Sequence, residues 1–279
     1  MKKFFSLLII LCLFAGCSMQ NDNYVNPPND GQGIQPEDRT LTEQSVIANT
    51  GDLDNKLYGW GFKKEVNKAP SMPTEYIDLL KAYDGYYLGN TDKKVLYLTF
   101  DEGYENGYTD KILDVLKKTK TPAAFFVTGP YLENEEDIVN RMIDEGHIIG
   151  NHTVNHPSLP SISDEAIVKE LDGLNSVFKE KYGQKMNFFR PPRGEFSERT
   201  LSVTKDMGYK TIFWSSAYVD WDVNNQKGSE YALKQFTSQL HNGSIILLHA
   251  VSKDNAEALE KMINTAKKQG YKFLSLDNL

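Results

Sequence analysis

A chain of 279 residues, 40% hydrophobic and 25% charged, is long enough for one large core or two small ones. Its net charge of -7 leaves no basic surplus to neutralise phosphates, which argues against a nucleic-acid partner. Both cysteines, Cys12 and Cys17, fall in the first segment, so the body of the chain has neither a disulfide nor a thiolate metal site.

The chain begins MKKFFSLLIILCLFAGC. Lys2 and Lys3 supply a positive start, and Phe4 to Phe14 form an apolar run too short for a comfortable membrane span. Ala15-Gly16-Cys17 resembles a bacterial lipobox, in which the cysteine is acylated and becomes the new N-terminus. The expectation is export to the outer face of the cell membrane, with residues 1–17 as a lipoprotein-type signal peptide and Cys17 carrying a lipid anchor. Ordinary signal cleavage and secretion are the alternative, because Phe14 stands where such boxes usually have leucine. Residues 18–55 are rich in Asn, Asp, Gln, Gly and Pro with no periodic apolar face, a composition that predicts a flexible linker. Aromatics enter at Leu57–Phe62, and a single domain is expected over 56–279.

From Val95 onward, strand-like and helix-like patterns alternate. The predicted strands are Val95–Phe100, Ala123–Thr128, His147–Gly150, Asn187–Arg190, Tyr209–Trp214, Ser244–His249 and Tyr271–Leu276. Between them, Ile138, Val139, Met142 and Ile143 share a helical face ended by Gly146. Ile167, Leu171, Leu174 and Phe178 repeat at helical spacing behind Ser163 as N-cap, and a third helix runs from Asn255 to Lys268. Strands alternating with helices indicate parallel βα units. The fold class is therefore α/β: a distorted (β/α) barrel of about seven parallel strands that need not close fully, with an open doubly wound sheet as runner-up.

Polar clusters follow these strands, at the end where α/β folds bind ligands. The first strand runs into Asp101, Glu102 and Gly103, and the third into Asn151-His152-Thr153-Val154-Asn155-His156. Two histidines four residues apart can turn their rings to one point, as in helical zinc sites, although this pattern alone is more often structural. Arg190-Pro191-Pro192-Arg193-Gly194 is a rigid turn able to aim an arginine inward and leave a free N–H for an oxyanion; a surface turn is the plain alternative. Asp220-Trp221 follows the fifth strand, and His249 ends the very apolar sixth.

These five pieces in this order resemble the polysaccharide deacetylases, carbohydrate esterase family 4. The resemblance spans Leu57 to the C-terminus and implies a distorted (β/α) barrel that removes acetyl groups from cell-wall sugars. Longer strings (TFDEGYENGYT, GNHTVNHPSL, RPPRGEFSERTL, FWSSAYVDW, LLHAVSKDNAEAL) are similar to the branch of δ-lactam-biosynthetic de-N-acetylases. That branch acts on N-acetylmuramic acid of peptidoglycan whose peptide an N-acetylmuramoyl-L-alanine amidase has removed, and its product serves the δ-lactam of the spore cortex.

By resemblance, Asp101 is the catalytic base oriented by Arg190, and His249 is the acid held by Asp220. His152, His156 and Glu102 would hold a divalent cation such as zinc, while Arg193, Trp221 and Leu248 would bind substrate. Two positions depart from the family pattern. Glu102 stands where an aspartate ligand is usual, and Arg193 where an aromatic is usual, which suggests an anionic feature in the substrate. The competing readings are deacetylation of N-acetylglucosamine in peptidoglycan or exopolysaccharide, O-acetyl ester hydrolysis, and a non-catalytic wall-binding lipoprotein.

Overall fold

The computed structural model describes residues 50–279. The leader, the lipobox and residues 18–49 of the expected linker lie outside the described residues. Residues 50–55 of that linker are tied to the body: the Arg199 N–H donates to the Asp54 carbonyl at 3.1 Å, and the Ser197 hydroxyl donates to Asn55 Oδ1 at 2.8 Å.

The strands, in chain order, are β1 (Tyr58–Gly59), β2 (Gly85–Tyr86), β3 (Val95–Glu102), β4 (Ala123–Val127), β5 (Ile148–Asn151), β6 (Phe188–Phe189), β7 (Glu195–Phe196), β8 (Lys210–Ile212), β9 (Ser244–His249) and β10 (Lys272–Phe273). The helices are α1 (Thr74–Ala82), α2 (Thr109–Thr119), α3 (Gly129–Asn134), α4 (Glu136–Asp144), α5 (Asp164–Tyr182), α6 (Glu198–Asp206), α7 (Ser229–Thr237) and α8 (Lys253–Lys268). Seven strands pair in parallel in the order β9-β3-β4-β5-β6-β8-β2 and curl into a half-barrel. The predicted C-terminal run joins the same sheet as β10, parallel to the first residues of β3, and β2, a two-residue strand without a sequence signal, adds the far edge.

Beyond β9, isolated bridges from the residues after β2 and β8, Leu88↔Ser244 and Ser216↔Ile246, take the place of a strand ladder across the open side of the half-barrel. Gly243 makes that seam possible. It sits at φ +74°, and a Cβ there would lie 2.8 Å from the Gly89 carbonyl oxygen.

Strand alternation sorts the side chains. Val95, Tyr97, Phe126, Phe188, Ile212 and Ile245 fill the barrel interior, while Leu96, Leu98, Phe100, Phe125, Ile246 and Leu248 face the helices and meet Ile112, Met142, Leu171 and Leu259. Phe100 and Phe125 stack at 5.1 Å across β3 and β4. The predicted helices form for the predicted reasons: Ser163 Oγ caps α5 by accepting from the Ala166 N–H at 3.3 Å, and Gly183 ends it in the left-handed region at φ 67°. Each parallel strand therefore delivers its last residues to one rim.

Candidate active site

Strand β3 runs two residues further than its apolar pattern, so Asp101 and Glu102 are its last members and point to opposite faces. Asp101 faces the barrel mouth. Its Oδ1 accepts from Arg190 Nη1 at 2.7 Å, and its Oδ2 lies 3.7 Å from His152 Nε2. Burial works against its charge, but Arg190, with His152 and His249, more than offsets that and holds the carboxyl below the ordinary carboxylate range. Arg190 comes from the end of β6 and is itself fully buried. Its Nε donates to the Ile212 carbonyl at 3.1 Å, and its guanidinium lies 4.2 Å over the Phe126 ring. A guanidinium pinned on both sides fixes the carboxylate that it grips.

Glu102 contradicts its expected role as a ligand. Alternation sends it to the helix-facing side that Phe100 shares. It is fully buried there, and neither carboxylate oxygen has a hydrogen-bond partner. Burial, then the charges of Glu105 and Asp101, push its carboxyl well above the usual range, so the neutral form is favoured.

His152 and His156 do converge, with ring centroids 4.8 Å apart at 72°. No helix brings them together; the loop after β5 does, through left-handed backbone at Thr153 (φ 66°) and His156 (φ 57°). Hydrogen bonds hold this strained backbone: the Thr153 N–H donates to Asn151 Oδ1 and the His156 N–H to Thr153 Oγ1, each at 2.9 Å. His152 Nδ1 bonds the Arg190 carbonyl at 2.8 Å, which leaves Nε2 as the free lone pair. Burial brings the His152 imidazole down to about 4, so it is neutral near pH 7. Two neutral rings suit a cation, but the third expected ligand is on the wrong face. Among the described residues no group of three or more His, Cys, Asp or Glu converges to hold a metal ion. The ligand set His152, His156 and Glu102 does not fit a resident divalent cation.

The turn after β6 forms a short 3-10 helix at Pro192–Gly194, in which Arg193 takes φ 58°. As an early N–H of that turn, the Arg193 amide has no intrahelical acceptor. The Arg193 side chain is half-exposed at the pocket rim and pairs with Glu195 at 3.3 Å. The N-terminal aromatics brace this turn. Strand β1 pairs antiparallel with β7, and the Trp60 N–H donates to the Gly194 carbonyl at 2.8 Å. A Cβ on Gly194 would meet Trp60 and Trp214 atoms at 2.9 Å, so only glycine fits between the two indoles.

His249 ends β9, in register beside Asp101 of β3. Its Nδ1 donates to Asp220 Oδ1 at 2.8 Å and its backbone N–H to Asp220 Oδ2 at 2.9 Å, leaving Nε2 for the pocket. Burial disfavours the imidazolium, yet the Asp220 charge and hydrogen bond outweigh it and raise His249 above the ordinary histidine value.

These groups share a cavity of about 440 Å³. Asp101, His152, His156 and His249 line it together with Arg193, Gly194, Trp214, Ala217, Tyr218, Trp221 and Leu247. Trp221 is 58% exposed at the rim, where an expected sugar-contacting aromatic belongs. Leu248 does not reach the pocket. It is 1% exposed and packs among the helix-facing residues, whereas Leu247, one position earlier, lines the cavity. The sequence reading missed Leu247, Trp214 and Tyr218; alternation counted back from His249 identifies Leu247, and Trp214 and Tyr218 flank the Asp220 segment.

The family model for polysaccharide deacetylase matches residues 88–212. The chain is 51% identical over 229 residues to the peptidoglycan-N-acetylmuramic acid deacetylase PdaA of Bacillus subtilis, covering 81% of this chain and 87% of that protein. The structure of Bacillus subtilis PdaA, described as a family 4 carbohydrate esterase, superposes with a TM-score of 0.79 at 50% identity, over 81% of this chain and 98% of that one. A family 4 carbohydrate esterase from Bacillus anthracis matches with a TM-score of 0.69 at 48% identity, over 81% and 97% of the two chains. Fold, rim geometry and these likenesses agree: the chain belongs to the polysaccharide deacetylases, carbohydrate esterase family 4.

Proposed function

We propose that this chain hydrolyses the N-acetyl group of N-acetylmuramic acid in peptidoglycan strands from which the peptide has been removed. The observation that carries the reading is the pairing of Asp101 and His249 in register at one rim, with opposite pKa directions set by Arg190 and Asp220. One group is held ionised to accept a proton and the other is biased towards the charged form that donates one. The likeness to a Bacillus subtilis protein named for N-acetylmuramic acid supports the choice of sugar.

In this mechanism Asp101 Oδ2, free because Arg190 occupies Oδ1, takes a proton from water as the oxygen attacks the acetyl carbonyl carbon. A carboxylate held below its ordinary range is a weak base, so orientation by Arg190 carries much of the acceleration. The Arg193 N–H donates to the developing oxyanion. Collapse breaks the C–N bond as His249 Nε2 protonates the nitrogen, releasing acetate and a free amine. Asp220 holds the imidazolium until that transfer. No step is routed through a metal ion, because Glu102, the third expected ligand, faces away from His152 and His156. The Arg193 side chain lies where it could exchange Glu195 for the lactyl carboxylate that peptide removal leaves on muramic acid.

An amidase that strips the peptide would supply this substrate, and the amine product is the one a muramic δ-lactam requires, which supports a role in spore-cortex synthesis. The leader and Cys17 support export, with a lipid anchor on the outer membrane face. The test is Asp101→Asn, which keeps the shape and removes the base. Deacetylation of peptide-free glycan should fall by about 10²–10⁴-fold, and near-native turnover by the folded variant would refute the assignment.

A further inference from the structure

The proton-donating pair does not stand alone. Asn255, in the first turn of α8, is fully buried and donates from Nδ2 to Asp220 Oδ2 at 2.6 Å and to the His249 carbonyl at 3.2 Å. Its Oδ1 accepts from the Tyr218 hydroxyl. The reverse orientation of the amide would set its oxygen against the carboxylate, so the network fixes which end faces Asp220. Its backbone N–H is held in turn by Ser252 Oγ, the cap of α8, at 3.2 Å. Both polar atoms of the side chain are therefore engaged, on the Asp220 carboxylate, the His249 main-chain carbonyl and the Tyr218 hydroxyl.

We infer that Asn255 is a positioning residue for proton delivery: its amide locks Asp220 Oδ2 so that Oδ1 remains aimed at His249 Nδ1, and the Tyr218 hydroxyl locks Asn255. Asp220 is 3% exposed, so bulk water cannot readily replace the amide. Without it, Oδ2 retains only the His249 backbone N–H, and the carboxylate is free to rotate away from the ring. The main chain of the Asp220 segment is held separately, by Gln226 Nε2 donating to the Asp220 carbonyl at 3.1 Å. Loss of Asn255 thus frees the carboxylate and leaves its backbone in place. Tyr218 also lines the pocket, so the lock begins at the substrate wall.

This inference rests on His249 as the acid, and the experiment separates the two. In the full chain, Asn255→Ala, Tyr218→Phe, His249→Ala and the Asn255→Ala/His249→Ala double variant are assayed on peptide-free muramyl glycan and on an activated aryl acetate. The ester's leaving group needs little protonation. His249→Ala is expected to harm the amide far more than the ester; equal losses overturn the acid role and the inference with it. Given that split, Asn255→Ala should lower kcat on the amide by about 10- to 100-fold with KM and ester turnover nearly unchanged. The double variant should be no slower than His249→Ala alone, since one residue acts through the other. Tyr218→Phe, which leaves Asn255 in place, should show a smaller loss with the same amide selectivity, and it keeps the test decisive if Asn255→Ala folds poorly. Equal losses on both substrates, additive losses in the double variant, or unchanged amide turnover would overturn the inference.

Discussion

Asp220→Asn isolates what the carboxylate contributes to proton donation. Asp220 accepts from His249 Nδ1 at 2.8 Å, from the His249 N–H at 2.9 Å and from Asn255 Nδ2 at 2.6 Å. An amide has one oxygen, so its NH2 must face at least one of these donors, and the charge is lost whichever way it turns. A buried hydrogen bond to a charged group is worth about 1.5–3 kcal/mol, which corresponds to a loss of roughly 10- to 150-fold in amide hydrolysis near neutral pH. The pH profile carries a separate signature. Burial lowers His249 and Asp220 is the main influence that raises it; without Asp220 only the weaker effect of the Asp101 charge opposes burial, and the pKa falls. The acid form is required, and activity is lost as pH rises through the His249 pKa. The alkaline limb should therefore move to lower pH in Asp220→Asn. The assay is kcat/KM on peptide-free glycan across pH, with an activated acetyl ester as control. An alkaline limb that stays in place, or equal losses on both substrates, would refute the pairing.

Other outcomes follow from the same geometry. Glu102 has a raised pKa, so burying it costs stability as pH rises from the usual glutamate range through its folded value. Glu102→Gln removes that cost, and its thermal midpoint should gain on the native protein as pH rises; a parallel pH course for the two would contradict it. Calorimetric titration with zinc should give the same result for Glu102→Gln and the native chain, because Glu102 faces the helices; a loss of binding would return it to the ligand set. Arg193→Lys should lower turnover of muramyl glycan by about 1 kcal/mol, roughly fivefold, since the side chain is half-exposed and already paired with Glu195. Its effect on N-acetylglucosamine oligomers should be smaller, and equal losses on both sugars would remove the lactyl contact.

The barrel was legible because its long strands announce themselves. Val95–Glu102 and Ser244–His249 are mostly apolar runs that end in polar residues, and parallel pairing puts both ends on one rim. Asp101, Arg190, His249 and Asp220 came together as expected. What failed was the resolution of single positions. A motif transferred as a block makes neighbours equivalent, yet alternation sends Asp101 inward and Glu102 outward, and Leu247 inward and Leu248 outward. Nothing in HTVNH shows that its rings meet through left-handed loop backbone rather than a helix. Strand β2 has two residues and depends on β8 for its pairing, so it carries no periodicity to read. Asn255 lies on a predicted helix, and its contact with Asp220, 35 residues away, exists only once α8 packs beneath the rim.

The most direct measurement is mass spectrometry of peptide-free peptidoglycan strands incubated with the full chain, with peptide-bearing strands and N-acetylglucosamine oligomers alongside. Loss of one acetyl group on muramic acid, confined to the peptide-free strands and abolished by Asp101→Asn, is the predicted result. Acetyl loss on glucosamine instead, or binding of strands without any acetate release, would contradict it.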